Sequence, residues 1–380
     1  MFYRTAALLA AIAVIGSNSL SLGPIAPEIA RNLAVPVEQI LRASAAYGLG
    51  TAFGALVLAR WIDRYGAVSA LRATFLVLVV AFVTCAAAPN LMTLVLAQSV
   101  AGIAAGVAMP AVYSRAVQIA PPGYESRSLG IVLVGWTLSL VLGVALATVL
   151  ADVYHWRVVY LALVCLSMIV LVCTILMSDK SVLSVDAAPS PLLALNLPGV
   201  RFLLLLIALY MLSFYMSYAF VGDHVVESIA RPVADVSWVA IAYGSGFGLA
   251  VFFDAALDRL EGTTAIPLSL LLLALVYLVL SLPLSFTWLV MVSVLWGIFN
   301  HLALNILMAR LSAVDPQRRG TVLGLYSGVT YLCLGVATLV AGFVYPVTGW
   351  QRINLLAVLL CVGAAALSRV VLPGVSMRES

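Results

Sequence analysis

Twelve stretches of about 20 mostly apolar residues follow one another along this chain of 380 residues, and that repetition constrains its fold more than any other feature. An α-helix rises about 1.5 Å per residue, so roughly 20 residues cross the hydrocarbon of a bilayer. Cutting the chain where charges, prolines and turn residues cluster gives spans at 5–26, 39–60, 71–89, 91–114, 127–151, 157–178, 200–222, 236–256, 265–284, 287–310, 319–344 and 351–372. Apolar residues make up 64% of the chain and charged ones 9%, where a soluble domain has about 45–50% and about 25%. So few charges cannot coat a water-soluble body of this size. The expected class is an all-α, multi-pass membrane protein.

Orientation follows from the cations, because Lys and Arg gather on cytoplasmic loops. With both termini inside, fourteen of the nineteen fall on the cytoplasmic side and five (Arg31, Arg42, Arg157, Arg231, Arg352) outside. The opening Met1-Phe2-Tyr3-Arg4 and its apolar run read as a retained first span, because no small-x-small cleavage site precedes Pro24 and Pro27. A net charge of +4 without a basic run excludes nucleic acid as a partner. Cys85, Cys165, Cys173, Cys333 and Cys361 all lie in apolar stretches without a C-x-x-C pair and read as reduced packing residues. With no P-loop or haem motif, no cofactor or metal is expected.

The one long polar connection, 179–199, divides the chain into an N-terminal six-span bundle (1–178) and a C-terminal one (200–380), with a cytoplasmic linker between. The halves are repeats. An offset of about 195 residues aligns Asp63-Arg64 with Asp258-Arg259, Gly102 with Gly297, Arg115 with Arg310 and Pro121 with Pro316. Slightly different offsets bring Tyr47-Gly48 onto Tyr243-Gly244 and Trp156 onto Trp350. Parallel six-span repeats are a common construction of transporters.

The loop Ala59-Arg60-Trp61-Ile62-Asp63-Arg64-Tyr65-Gly66 resembles the G-x-x-x-D-R-x-G signature of the major facilitator superfamily, with Ala59 in place of the first glycine. Pro24 to Leu33 resembles the end of that superfamily's first span. Gly135, Gly143 and Trp156-Arg157 are similar to the fifth-span motif of its drug:proton antiporter branch, and Tyr215 to Val221 to its sugar-efflux, arabinose-efflux-like members. The resemblance implies two pseudo-symmetric six-helix bundles with spans 1, 4, 7 and 10 lining a central cavity. It also implies an arginine in the fourth span for proton coupling, and here that position is Gln98.

Polar residues inside these spans are the candidate substrate contacts: Asn18 in span 1, Gln98 and Tyr113 in span 4, Trp136 in span 5, Tyr210 and Ser217 in span 7, and Asn300, His301 and Asn305 in span 10. Steps of three and four put Gln98, Gly102, Gly106, Met109 and Tyr113 on one helical face. The same spacing of small and polar residues serves as packing seams between membrane helices, and both readings stand for the single residues. For proton coupling, His301 lies deep in a span, and its unperturbed pKa of about 6.5 suits a switch. Asp223, His224 and Glu227 gather near the outer end of span 7, where they either exchange protons or form a solvated loop cluster. Asp254 is expected near the inner mouth. Asp63, Arg64, Asp258 and Arg259 read as a cytoplasmic latch, against the alternative of ordinary helix-end charges.

The expected function is secondary transport by alternating access, with proton-coupled export of a small neutral or weakly charged organic solute (sugar-like, nucleoside-like or drug). Its partners are that solute, protons and the lipid of a bacterial inner membrane, and the chain is expected to work as a monomer. The alternatives are an uncoupled facilitator or a proton symporter for uptake. No convergent catalytic set is present to support a membrane enzyme.

Overall fold

The computed structural model describes residues 2–59, 62, 65–121, 124–177, 191–257, 262–315 and 319–376. Asp63, Arg64, Asp258 and Arg259 lie outside the described residues, as does most of the 179–199 connection.

Among the described residues the secondary structure is helical throughout. The membrane helices are α1 (Phe2–Leu33), α2 (Val37–Leu58), α3 (Ala67–Ala86), α4 (Leu91–Gln118), α5 (Glu125–Leu138 continued by Val144–Val153) and α6 (Trp156–Ile175). After a short 3₁₀ turn at Pro191–Asn196 come α7 (Val200–Ser228), α8 (Val236–Leu249 and Val251–Leu257), α9 (Gly262–Leu280) and α10 (Phe286–Ala313). The last helical run, Arg319–Ser376, is 58 residues long, about twice what a bilayer requires.

That run is two helices. Cys333 reaches the carbonyl of Ala208 and Cys361 the hydroxyl of Ser213. Their two contacts on α7 are about 7.5 Å apart, yet an unbroken helix would separate the cysteines by about 42 Å. The chain must therefore turn back between them, and it does so at Gly349, whose φ of 72° breaks the helical geometry. The left-handed region is open to glycine at little cost. Helices α11 (319–348) and α12 (350–376) follow, which makes twelve.

Several helices outrun the expected spans. Helix α1 has 32 residues, and α4 and α10 have 28 each. The sequence reading ends them where polarity rises, but a helix continues into headgroup depth wherever its backbone bonds can be made. At the start of α4 the Asn90 side chain accepts from the Thr93 N–H at 3.0 Å, an ordinary N-cap. At the end of α6, Arg72 donates to the carbonyls of Thr174 and Met177 at 3.0 and 2.7 Å and so caps the carbonyl end of the helix.

The duplication is visible in backbone contacts. A Cβ placed on Gly102 of α4 would strike the Tyr47 carbonyl of α2, and one placed on Gly297 of α10 would strike the Tyr243 carbonyl of α8. The residue pairs aligned by the repeat thus make the same crossing in each half. Only glycine permits so close an approach, which is how membrane helices gain packing in the absence of a hydrophobic drive.

Three helices carry a π-helical turn: Gly54–Leu58 in α2, Ser139–Gly143 in α5 and His224–Ser228 in α7. Taking the side on which α1 begins as the near side, α1 and α7 cross toward the far side. There Gly23 lies against Ala219, and Gly222 against the Pro24 carbonyl. Asp152 of α5 accepts from the Val233 N–H at 3.1 Å, and Arg31 of α1 pairs with Glu227 of α7 at 3.8 Å.

Candidate functional site

In the N-terminal half the polar residues answer one another. Asn18 of α1 and Gln98 of α4 exchange two amide hydrogen bonds, at 3.0 and 3.1 Å, and the Gln98 amide also donates to the Tyr160 hydroxyl at 3.1 Å. Cys85 of α3 lies 3.7 Å from the same nitrogen. Gln98 is wholly buried and Asn18 nearly so. In hydrocarbon an unpaired amide is costly, and a second amide is the cheapest partner. The sequence reading leaves cavity lining and helix packing both open for these residues, and the structure brings the two together at a junction of four helices. Tyr113 and Trp136 are more open: both are half-buried, the indole N–H donates to the Tyr113 hydroxyl at 3.3 Å, and the indole packs beside Gly16.

In the C-terminal half an aromatic group surrounds Trp296 of α10. Phe214 stacks on Tyr218 and Tyr243 with centroids 5.2 and 5.7 Å away, and Tyr243 meets Trp296 edge-on at 5.2 Å. The Trp296 indole donates to the Tyr277 hydroxyl at 3.2 Å. Tyr210 donates to the Asn300 carbonyl at 2.9 Å, and the Asn300 amide donates to the Tyr243 hydroxyl at 2.5 Å. His301 places Nε2 3.2 Å from a carboxylate oxygen of Asp254, and Phe247 presents its ring to the imidazole edge-on at 4.7 Å. Both members of this pair are partly open, with 15% and 22% of their side chains exposed. Asn305, one turn further along α10, is half-buried.

This group differs from the amide junction in one respect. Ser217 Oγ, Tyr218 OH, Asn300 Oδ1, His301 Nδ1 and Asp254 Oδ1 are all buried with no hydrogen-bond partner. Buried polar atoms are normally paired, so each of these five is open to a partner that the folded chain does not itself supply.

The acidic cluster of span 7 lies elsewhere. Its residues begin thirteen positions, about 20 Å, beyond Tyr210, which touches Asn300. The sequence reading ends that span at 222, but α7 continues through its π-turn to Ser228 and buries Asp223 and His224. Tyr345 donates to Asp223 at 2.6 Å, and the His224 ring stacks on Trp350 with centroids 4.7 Å apart. Glu227 is exposed and faces Arg31.

A sequence model of the Major Facilitator Superfamily matches residues 7–221 and 203–378, which together cover nearly the whole chain. The chain belongs to the Major Facilitator Superfamily. It is 24% identical over 371 residues to the uncharacterized MFS-type transporter YwfA of Bacillus subtilis (strain 168), an alignment that covers 95% of this chain and 90% of the relative. Among solved structures, a mutant of the nucleoside transporter NupG superposes with a TM-score of 0.76 at 13% identity, covering 97% of this chain and 99% of that one. A bacterial homologue of the human lysosomal transporter Spinster, in an inward-facing and occupied conformation, superposes with a TM-score of 0.77 at 16% identity, covering 97% and 96%. This superfamily member is therefore a transporter in a lipid bilayer, not an enzyme.

Sequence reasoning missed the aromatic group as a unit and Asp254 as the partner of His301. The signals were present singly. Tyr243 is the repeat mate of Tyr47, and Trp296 adjoins the Asn300–His301 pair. Nothing in the spacing says which helix faces which.

Proposed function

We propose that this protein exports a small neutral or weakly charged organic solute in exchange for protons, by rocking its two halves about a site near mid-membrane. The observation that carries this reading is the set of unpartnered atoms on α7, α8 and α10, which can offer hydrogen bonds to a polar solute. The half-buried Tyr113 and Trp136 supply an apolar wall from the other half. Gln98 and Asn18 support the wall from behind. His301 is the proton acceptor of this reading, and the buried Asp223 with His224 and Glu227 forms a second titratable group on the far side. In this orientation the near side is cytoplasmic and the bilayer a bacterial inner membrane, with Asp63-Arg64 and Asp258-Arg259 as the near-side latch. The chain acts as a monomer.

The test begins with a thermal-shift screen of sugars, nucleosides and lipophilic drugs on the purified protein, followed by counterflow of the binders in proteoliposomes. Export by exchange predicts that an imposed proton gradient drives uphill movement of the solute and that solute movement changes lumen pH. Counterflow indifferent to any proton gradient would establish the facilitator alternative. Undiminished counterflow in Asn300→Ala, His301→Ala and Gln98→Ala together would remove the site.

A further inference from the structure

Asp254 occupies a position that neither the repeat nor the polar stripes explain. Its counterpart in the N-terminal half, at the offset of about 195 residues, is Ala59, and that of His301 is Gly106. The pair belongs to the C-terminal half alone.

Three features bear on what it does. First, Asp254 Oδ2 meets His301 Nε2 at 3.2 Å, while Asp254 Oδ1, His301 Nδ1 and Asn300 Oδ1 are buried without partners. Three acceptors stand together without a donor when the ring is neutral with its proton on Nε2. One added proton, on Nδ1, turns an acceptor into a donor. Second, the other titratable groups around this part of α10 are phenols and thiols: Tyr210, Tyr215 and Tyr218 of α7, Tyr243 of α8, Tyr277 of α9, Tyr326 and Cys333 of α11 and Cys361 of α12. Among these described neighbours Asp254 is the sole carboxylate. Third, α8 has a joint in the form of one tightened turn: the Phe253 N–H bonds to the Ala250 carbonyl only three residues back, while Ala250 itself stays right-handed helical and keeps its bond to the Gly246 carbonyl. Gly248, just before the joint, is not required by packing, because a Cβ there would come no closer than 3.9 Å to Thr137. A short 3₁₀ stretch inside a longer helix often marks a hinge.

We infer that Asp254 is the positioning residue of His301: its carboxylate holds Nε2 and leaves Nδ1 as the atom that takes the proton, and the joint at Ala250 lets the carboxylate approach or leave the ring. The inference builds on the transport reading by naming how its proton acceptor is set, yet its test needs no substrate. A carboxylate that accepts from Nε2–H fixes the tautomer of the ring, which is the property the test reads.

The chain has three histidines, His155, His224 and His301, so ¹⁵N-imidazole spectra of the full-length protein in nanodiscs resolve each ring, with His301→Gln assigning the signals. In the wild type at high pH, His301 is expected to carry its proton on Nε2 with Nδ1 bare. In Asp254→Ala nothing holds Nε2, and the neutral His301 ring should show a mixture of the two tautomers. Asp223→Ala, a carboxylate lost at the far end of α7, should leave the tautomer as it is. An unchanged tautomer in Asp254→Ala, or an equal change in Asp223→Ala, overturns the inference. So does a wild-type ring protonated on Nδ1, a reading that stands even if the variants do not fold. Loss of the transport reading alone, for example by failed counterflow, would leave these spectra as they are.

Discussion

The two halves make the same glycine crossing and then part company in their polar interiors. On the N-terminal side, Asn18, Gln98 and Tyr160 satisfy one another, and the junction is closed. At the offset of about 195 residues, the C-terminal counterparts of Asn18 and Gln98 are Ser213 and Ser293, whose hydroxyls turn back to the Tyr210 and Leu289 carbonyls of their own helices. The polar burden of that half has moved along α10 to Asn300 and His301, where atoms are left without partners. The N-terminal junction uses its polarity to bind helices together, and around Asn300 and His301 part of it stays unpaired. On the proposed reading, a duplicated scaffold separates two demands that conflict at a single place, since a fully paired network cannot also receive a solute.

The largest effect should come from breaking what the halves share. Gly102→Leu or Gly297→Leu forces side chain against backbone and should cost about 3 kcal/mol each. The loss would appear as a lower thermal midpoint and poor monodispersity in detergent, and similar losses in the two variants would establish the equivalence of the crossings.

Next comes the amide junction. Gln98→Leu leaves Asn18 and Tyr160 unpaired and should cost about 1–3 kcal/mol, while the double variant Asn18→Leu/Gln98→Leu regains part of it, by thermal unfolding. Ser213→Ala, the same position as Asn18 in the other half, should stay within about 0.5 kcal/mol. A large loss there would erase the contrast between the halves.

Asn300→Ala and His301→Ala test the opposite side of the comparison. Each should lower stability by less than about 1 kcal/mol, since interhelical hydrogen bonds in membranes average about 0.6 kcal/mol. Each should reduce counterflow about tenfold. Stability loss without transport loss would make this group structural, like its N-terminal counterpart.

The smallest change is Gly248→Ala at the joint of α8. Helix propensity favours alanine over glycine by about 1 kcal/mol, and the added methyl has room. A raised thermal midpoint with slower exchange kinetics would identify the joint as a moving part.

Much of the architecture was legible in the residues. The need to bury backbone polar groups ties an apolar run to a helix, and the pairings of Tyr47 with Tyr243 and Gly102 with Gly297 expose the duplication without any coordinate. The site was less legible. Periodicity assigns a residue to a helical face but not to a partner, and Asn18 meets Gln98 across 80 positions. The same limit hides Asp254, which 47 positions separate from His301. Span 7 comes out short in the sequence because Asp223 and His224 read as water-facing. The phenol of Tyr345 and the ring of Trp350, which come from the far end of the chain, make their burial possible.

A further consequence follows from how α2 meets α11. Gly48 lies so close to Gly335 that a Cβ on it would come within 2.7 Å of the opposing backbone nitrogen, while Leu49, Leu56 and Leu334 pad the surface around it. A point where two main chains already touch cannot shorten, whereas a cushion of leucines shears at little cost. If the halves rock as proposed, this seam is where a fulcrum in a greased bearing would sit: leverage applied at one mouth of the molecule would be returned, reversed, at the other.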